Sequence, residues 1–278
     1  MELLYRGLLI LLCLFGSVES VAENRRLPGK FVWAELVTFD VARAERFYSE
    51  LFGWEFSDDN GYRVAWQGDE PVAGVIYRER KNPQGKARWI GYISVKDMAG
   101  ATTTLLAQGA RAIEQPRKID GLGELAVFAD PENALFGLID SANDDPEDFL
   151  AAEGDWIWMQ LFSRNAEQAS SFYQRAGGYQ RLDNPQQPGA FLLARDGYAR
   201  AAISMITPRH TDAQPLWLPF VRVGDLAKTL QKITALGGKI RVSPRSDLYD
   251  GRVAMIEAPD GAAIGLMVWQ VPAEKVVP

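Results

Sequence analysis

Few side chains in this sequence are placed to do chemistry. Glu35 stands on the alternating stretch Phe31 to Thr38, two residues after Trp33. A carboxylate desolvated on an apolar strand face can act as a general base or hold a cationic ligand. The structural alternative is a carboxylate bonded to backbone or paired with an arginine across a domain interface. Trp33 and Trp158 can stack on a planar ligand, face a cation with their rings, or fill core volume. Arg222 can clamp an anion or pair with an acidic side chain. The one histidine, His210, lies in the connector Pro208 to Pro215 with no convergent partners in view, and reads as a solvated surface residue. The sequence contains no phosphate loop, nucleophile elbow or paired-cysteine site.

The elements that must position these residues begin after an N-terminal segment of different character. Arg6 precedes the apolar run Leu8 to Phe15 and the small-residue site Ser20-Val21-Ala22. That run is short for a bilayer span and suits a signal peptide over residues 1–22, which implies an exported protein of the periplasm or exterior. An uncleaved segment would instead tether the protein to a membrane. Cys13, the only cysteine, lies in this run, so cleavage leaves no thiol chemistry. A formal net charge of −6 gives no basic surface for nucleic acid.

An internal repeat organises the rest. Trp33-Ala34-Glu35-Leu36 recurs as Trp158-Met159-Gln160-Leu161, Phe47-Tyr48 as Phe172-Tyr173, and Gly53-Trp54 as Gly178-Tyr179, every pair 125 residues apart. A second set stands 128 apart: Val95-Lys96-Asp97 with Val223-Gly224-Asp225, Gly109 with Gly237, and Asp130-Pro131 through Leu138 with Ala258-Pro259 through Leu266. Constant register over this length marks duplicated structural units. Each half holds two modules, each an alternating strand, a helix and further strands. In the first, Asp40 caps a helix over 41–51 and strands follow at 62–67 and 73–77. In the second, a strand over 89–95 leads to a helix over 98–108 and strands at 124–128 and 134–139. Gly53, Gly109, Gly177 and Gly237 end the helices. The acidic stretch 141–154 reads as a linker, with a short helix around Pro146 to Ala152, between an N-terminal domain (31–140) and a C-terminal domain (155–270).

Taken together, Asp40, Phe47-Tyr48, Phe52-Gly53-Trp54, Val95 to Asp97 and Asp130-Pro131-Glu132-Asn133 resemble the glyoxalase, bleomycin-resistance and extradiol-dioxygenase (vicinal oxygen chelate) superfamily. The resemblance covers about residues 31–270 and implies an α+β fold of four βαβββ modules, paired into two glyoxalase-like cupped-sheet domains that form a pseudo-dimer within one chain. It also implies a divalent metal held in each cup by His, Gln or Glu on the opening strands and Glu on the closing strand. Carried over by register, those positions fall on Trp33, Ile90 and Gly137 in the first half and on Trp158, Leu218 and Gly265 in the second. None offers a lone pair to a metal, so no cofactor is expected.

Strand alternation then says what shares the cup faces. Trp33, Glu35, Ile90 and Tyr92 point into the first cup; Trp158, Gln160, Leu218, Phe220 and Arg222 point into the second. Aromatic and apolar faces with a few polar groups suit a small-molecule pocket. Three functions stay open: metal-independent binding of a small apolar or aromatic molecule, through Trp33, Glu35, Tyr92, Trp158, Gln160, Phe220 and Arg222; a lyase or oxygenase of glyoxalase type, with Glu35 as a possible general base; and a non-catalytic scaffold with plugged cups.

Overall fold

A computed structural model describes residues 25–269 except 60, 83–84, 149, 185–186 and 207–212. The expected signal segment and His210 lie outside the described residues. Among those described, no helix is long and apolar enough to cross a membrane.

The N-terminal half runs β1 (Phe31–Thr38), α1 (Val41–Phe52), β2 (Glu55–Asp59), β3 (Tyr62–Gln67), β4 (Glu70–Tyr77), β5 (Arg88–Ser94), α2 (Met98–Ala107), β6 (Arg111–Ile119), β7 (Gly123–Ala129) and β8 (Leu135–Ser141). The C-terminal half repeats it as β9 (Trp156–Ser163), α3 (Ala166–Gly177), β10 (Gln180–Asp183), β11 (Phe191–Arg195), β12 (Tyr198–Met205), β13 (Leu216–Arg222), α4 (Leu226–Ala235), β14 (Lys239–Val242), β15 (Val253–Glu257) and β16 (Ala263–Met267). Each half makes one mixed sheet, in the orders β2-β3-β4-β1-β5-β8-β7-β6 and β10-β11-β12-β9-β13-β16-β15-β14. The antiparallel pairs β1/β5 and β9/β13 join the two modules within each half. The fold is the α+β arrangement of cupped βαβββ modules expected from the sequence.

One local device starts all four α-helices of the described residues. The side chains of Asp40, Asp97, Asn165 and Asp225 each accept the backbone N–H three residues on, satisfying a donor that the helix leaves free. Three details depart from the sequence reading. The left-handed residue closing α3 is Gly178 (φ 65°), not Gly177. Alternation locates only two of the three strands that follow each helix; the others, β2, β6, β10 and β14, are charged edge strands. The described residues of the connector form no helix. Its acidic side chains bond outward instead: Asp145 accepts the Leu27 N–H at 2.6 Å, and Asp148 pairs with Arg200 at 2.5 Å and Lys30 at 3.2 Å.

The two faces of each sheet have different fates. The helix-side faces bury one another across the halves. Leu36, Phe47, Tyr48 and Trp54 of the first module, with Trp89 of the second, pack with Val221, Ile233, Ile256 and Leu266 of the fourth. Phe128, Phe136 and Leu138 of the second pack with Leu161, Phe172 and Tyr173 of the third and Trp217 of the fourth. Phe47-Tyr48 and Phe172-Tyr173 are thus packing residues. Matched polar contacts sit within these cores. Trp89 Nε1 donates to Tyr48 OH at 2.9 Å, as Trp217 Nε1 does to Tyr173 OH at 2.8 Å. Thr38 Oγ1 donates to Asp260, and Ser163 Oγ to Glu132, each across the halves.

Asp130 is the most exposed of these contacts to changes of pH. It is buried, accepts the N–H groups of Glu132 and Ala134, and receives the Tyr173 hydroxyl at 3.1 Å from the other half. Burial pushes its carboxyl up to about 6, outweighing those three hydrogen bonds. A folded-state value above the ordinary one means that the fold favours the protonated form. Stability from this group is full below about pH 4 and falls as the pH rises through 6. Replacing Asp130 by Asn should remove that slope, so that the stability difference between wild type and variant, from urea titrations at pH 4 and pH 7, changes by about 2–3 kcal/mol in the variant's favour at the higher pH.

Candidate functional site

The opposite faces form the cups. In the first, Trp33 of β1, Val64 of β3, Ile90 and Tyr92 of β5, Leu125 and Val127 of β7 and Ile139 of β8 make one apolar cluster. At its base Glu35 is 1% exposed. Its Oε1 accepts the Tyr62 hydroxyl at 2.6 Å and Arg117 Nη2 at 2.7 Å, while Oε2 accepts Arg117 Nη2 at 3.0 Å and the Tyr92 hydroxyl. Trp33 Nε1 donates in turn to Tyr62 OH at 3.3 Å. Arg117 lies on β6, four ladders from β1, about 19 Å away in a flat sheet at roughly 4.8 Å per strand. Only a sheet curled into a cup lets the two side chains meet.

This network fixes the Glu35 carboxyl in place. Both oxygens are engaged by donors, and the Arg117 guanidinium balances the charge. Burial and then the Glu35 charge push the phenols of Tyr62 and Tyr92 well up, so both remain donors. Burial pulls the Arg117 guanidinium down, but the carboxylate beside it prevails and raises it. The arginine partner belongs to the same half, not to the other side of the interface. Sequence reasoning missed Arg117 and Tyr62. A signal for Arg117 existed, since Pro116-Arg117 recurs 128 residues on as Pro244-Arg245.

The second cup differs at its base. Leu218, Phe220, Val253 and Met267 are buried, and Ile157, Trp158, Phe162, Leu216, Leu248, Tyr249, Met255 and Ala263 are half-buried around them. Gln160 replaces Glu35. Its Nε2 donates to Ser204 Oγ at 2.9 Å, and that hydroxyl donates to Gln187 Oε1 at 2.9 Å. Phe220, standing where Tyr92 stands, has no hydroxyl to offer. Arg222, expected at this cup on an anion or an acidic partner, instead donates through Nη1 to the Ala151 carbonyl at 2.7 Å, tying the strand end to the connector.

The closing-strand positions have a steric explanation. A Cβ on Gly137 would lie 2.2 Å from the Tyr92 ring, and one on Gly265 would lie 2.3 Å from the Phe220 ring. In each cup an aromatic ring from the neighbouring strand fills the space that a glutamate would need. Together with Trp33, Ile90, Trp158 and Leu218 at the opening positions, this donor set does not fit a family-type metal. Among the described residues, no three His, Cys, Asp or Glu side chains are grouped as a metal ion would need.

Two family models match in tandem. One describes a glyoxalase-like domain and covers residues 34–139; the other describes the glyoxalase/bleomycin resistance protein/dioxygenase superfamily and covers residues 157–266. The chain belongs to this superfamily. Among its relatives is CFP32 of Mycobacterium bovis, which carries the name of a glyoxylase, at 25% identity over 84% of this chain and 93% of that protein. The anthracycline biosynthesis protein DnrV of Streptomyces peucetius is 26% identical over 88% of this chain and 94% of its own. In fold, the chain is similar to the Mn(II)-bound glyoxalase of Novosphingobium aromaticivorans, with a TM-score of 0.63 at 14% identity, covering 87% of this chain and 83% of that one.

Within this superfamily fold, Glu35 acts as a cross-brace of the first cup. Glu35→Gln removes the charge while leaving Arg117 and two phenols facing an amide, and should cost about 2–4 kcal/mol of unfolding free energy. Chemical denaturation followed by tryptophan fluorescence measures this. An unchanged midpoint would show that the network does not brace the cup.

Proposed function

We propose that this glyoxalase-superfamily protein is an exported, metal-independent binding protein that takes a small apolar or aromatic molecule in its C-terminal cup, the N-terminal cup being a closed structural counterpart. The observation that carries the reading is the contrast between the two bases. In the first cup a carboxylate is fully paired under a buried tryptophan. In the second an uncharged amide lies beneath half-exposed apolar side chains, with Trp158 among them. Such a face gains from covering apolar area, and Trp158 offers a ring for stacking. Metal independence is supported by the six non-ligating residues and by the rings over Gly137 and Gly265. Export is supported by the apolar run and small-residue site of residues 1–22.

A neutral aromatic panel screened by thermal shift on the mature protein tests binding. A ligand at a hundred times its Kd stabilises the fold by about 2.7 kcal/mol. Trp158→Ala should abolish that shift, and failure of the whole panel counts against the reading. Elemental analysis of protein purified without chelator should find no stoichiometric transition metal, and finding one would overturn metal independence.

A further inference from the structure

The first cup contains a carboxylate that the second lacks, while the residue that neutralises it has been kept. Pro116-Arg117 and Pro244-Arg245 stand in the same register, as do Glu35 and Gln160 in theirs. Arg117 is spent on Glu35. Among the described residues Arg245 has no buried acid of its own and pairs only with Asp247, two residues on, at 3.0 and 3.3 Å, and the two side chains are 60% and 72% exposed. Its backbone is nonetheless anchored at the second cup. β14 ends at Val242, and the chain turns back through a bridge between Arg245 and Leu248, whose side chain packs on the cup's apolar cluster.

The turn itself is under constraint. Tyr249 (φ 48°), Asp250 (φ 53°) and Gly251 (φ 75°) are successive left-handed residues. The corresponding first-cup turn places Gly121 (φ 73°) where Tyr249 stands and Gly123 (φ 126°) where Gly251 stands. Glycine takes this conformation freely, whereas tyrosine holds it only when its surroundings require it. Here the Tyr249 side chain contributes to the cup lining and its hydroxyl bonds to Asn184. Nearby, Arg252 meets Asp250, and Glu257 meets Arg241 and Lys86.

We infer that the ligand of the C-terminal cup is a small aromatic or apolar carboxylic acid, its carboxylate lying over the Gln160 amide at the cup base and Arg245 turning inward from Asp247 to meet it. This rests on the proposed binding function of that cup and adds the charge of its ligand. The first cup then shows what the occupied second one looks like: an apolar body under tryptophan and an anion held by the arginine of the Pro-Arg pair. The exposed Asp247 holds Arg245 only through a solvated pair, which a desolvated carboxylate can displace.

The test compares 2-naphthoate with its neutral isostere 2-naphthamide by isothermal titration calorimetry on the mature protein, at fixed ionic strength and neutral pH. Naphthoate should bind at least about tenfold more tightly. Arg245→Ala should abolish the preference, and Gln160→Glu, which builds the first cup's carboxylate into the second, should abolish or reverse it. In the Arg245→Ala variant naphthamide should keep its wild-type Kd, which reports that the cup is intact. Equal affinities in the wild type, or a preference that survives Arg245→Ala, overturn the charge inference and leave apolar binding standing. Heat from neither probe, together with failure of the neutral panel, overturns both.

Discussion

Everything in this molecule depends on the alternation of side chains along its strands. Because successive residues face opposite ways, β1 and β9 each deliver one set of side chains to the core between halves and another to a cup. The core-facing set is large and apolar in all four modules, so neither half could leave it in water, and the first module closes on the fourth as the second closes on the third. Matched aromatic pairs, such as Trp89 with Trp156 and Phe31 with Trp217, each with ring centroids 5.0 Å apart, show the two cores obeying one design. The cup-facing set is released from that constraint and has diverged.

The divergence is chemical rather than architectural. Both cups keep a tryptophan on the opening strand and an aromatic ring over a glycine on the closing strand. They differ in whether the base bears a charge. A buried carboxylate is tolerable only when it is neutralised and hydrogen-bonded, and the first cup supplies an arginine from the far edge of the sheet and two phenols. The second cup drops the charge, and with it the need for such bracing.

Much of this was legible in the sequence because repetition and alternation are local, countable signals. The 125- and 128-residue registers located the modules, and alternation placed Trp33, Tyr92, Leu218 and Phe220 on the cup faces where they are found. What escaped depends on closure of the sheet. Arg117 lies on a polar edge strand interrupted by Pro116, with no periodicity to mark it, and meets Glu35 only because four intervening ladders curl. Arg222 was placed by parity alone, which cannot register that Ala151 offers it a carbonyl. The expected connector helix failed because Asp145 and Asp148 find better partners outside their own segment.

The rings of Tyr92 and Phe220 also block any one-step route to a glutamate on the closing strands. A glutamate at position 137 or 265 would drive its first side-chain atom into an aromatic ring, so a lone substitution meets a steric wall before it offers a ligand. Such a ligand would need the ring and the glycine to change together, in each cup, with Trp33 or Trp158 yielding as well. A duplicated fold in this condition is held in its present chemistry by packing, and variation is channelled toward the shape and charge of the cups that remain.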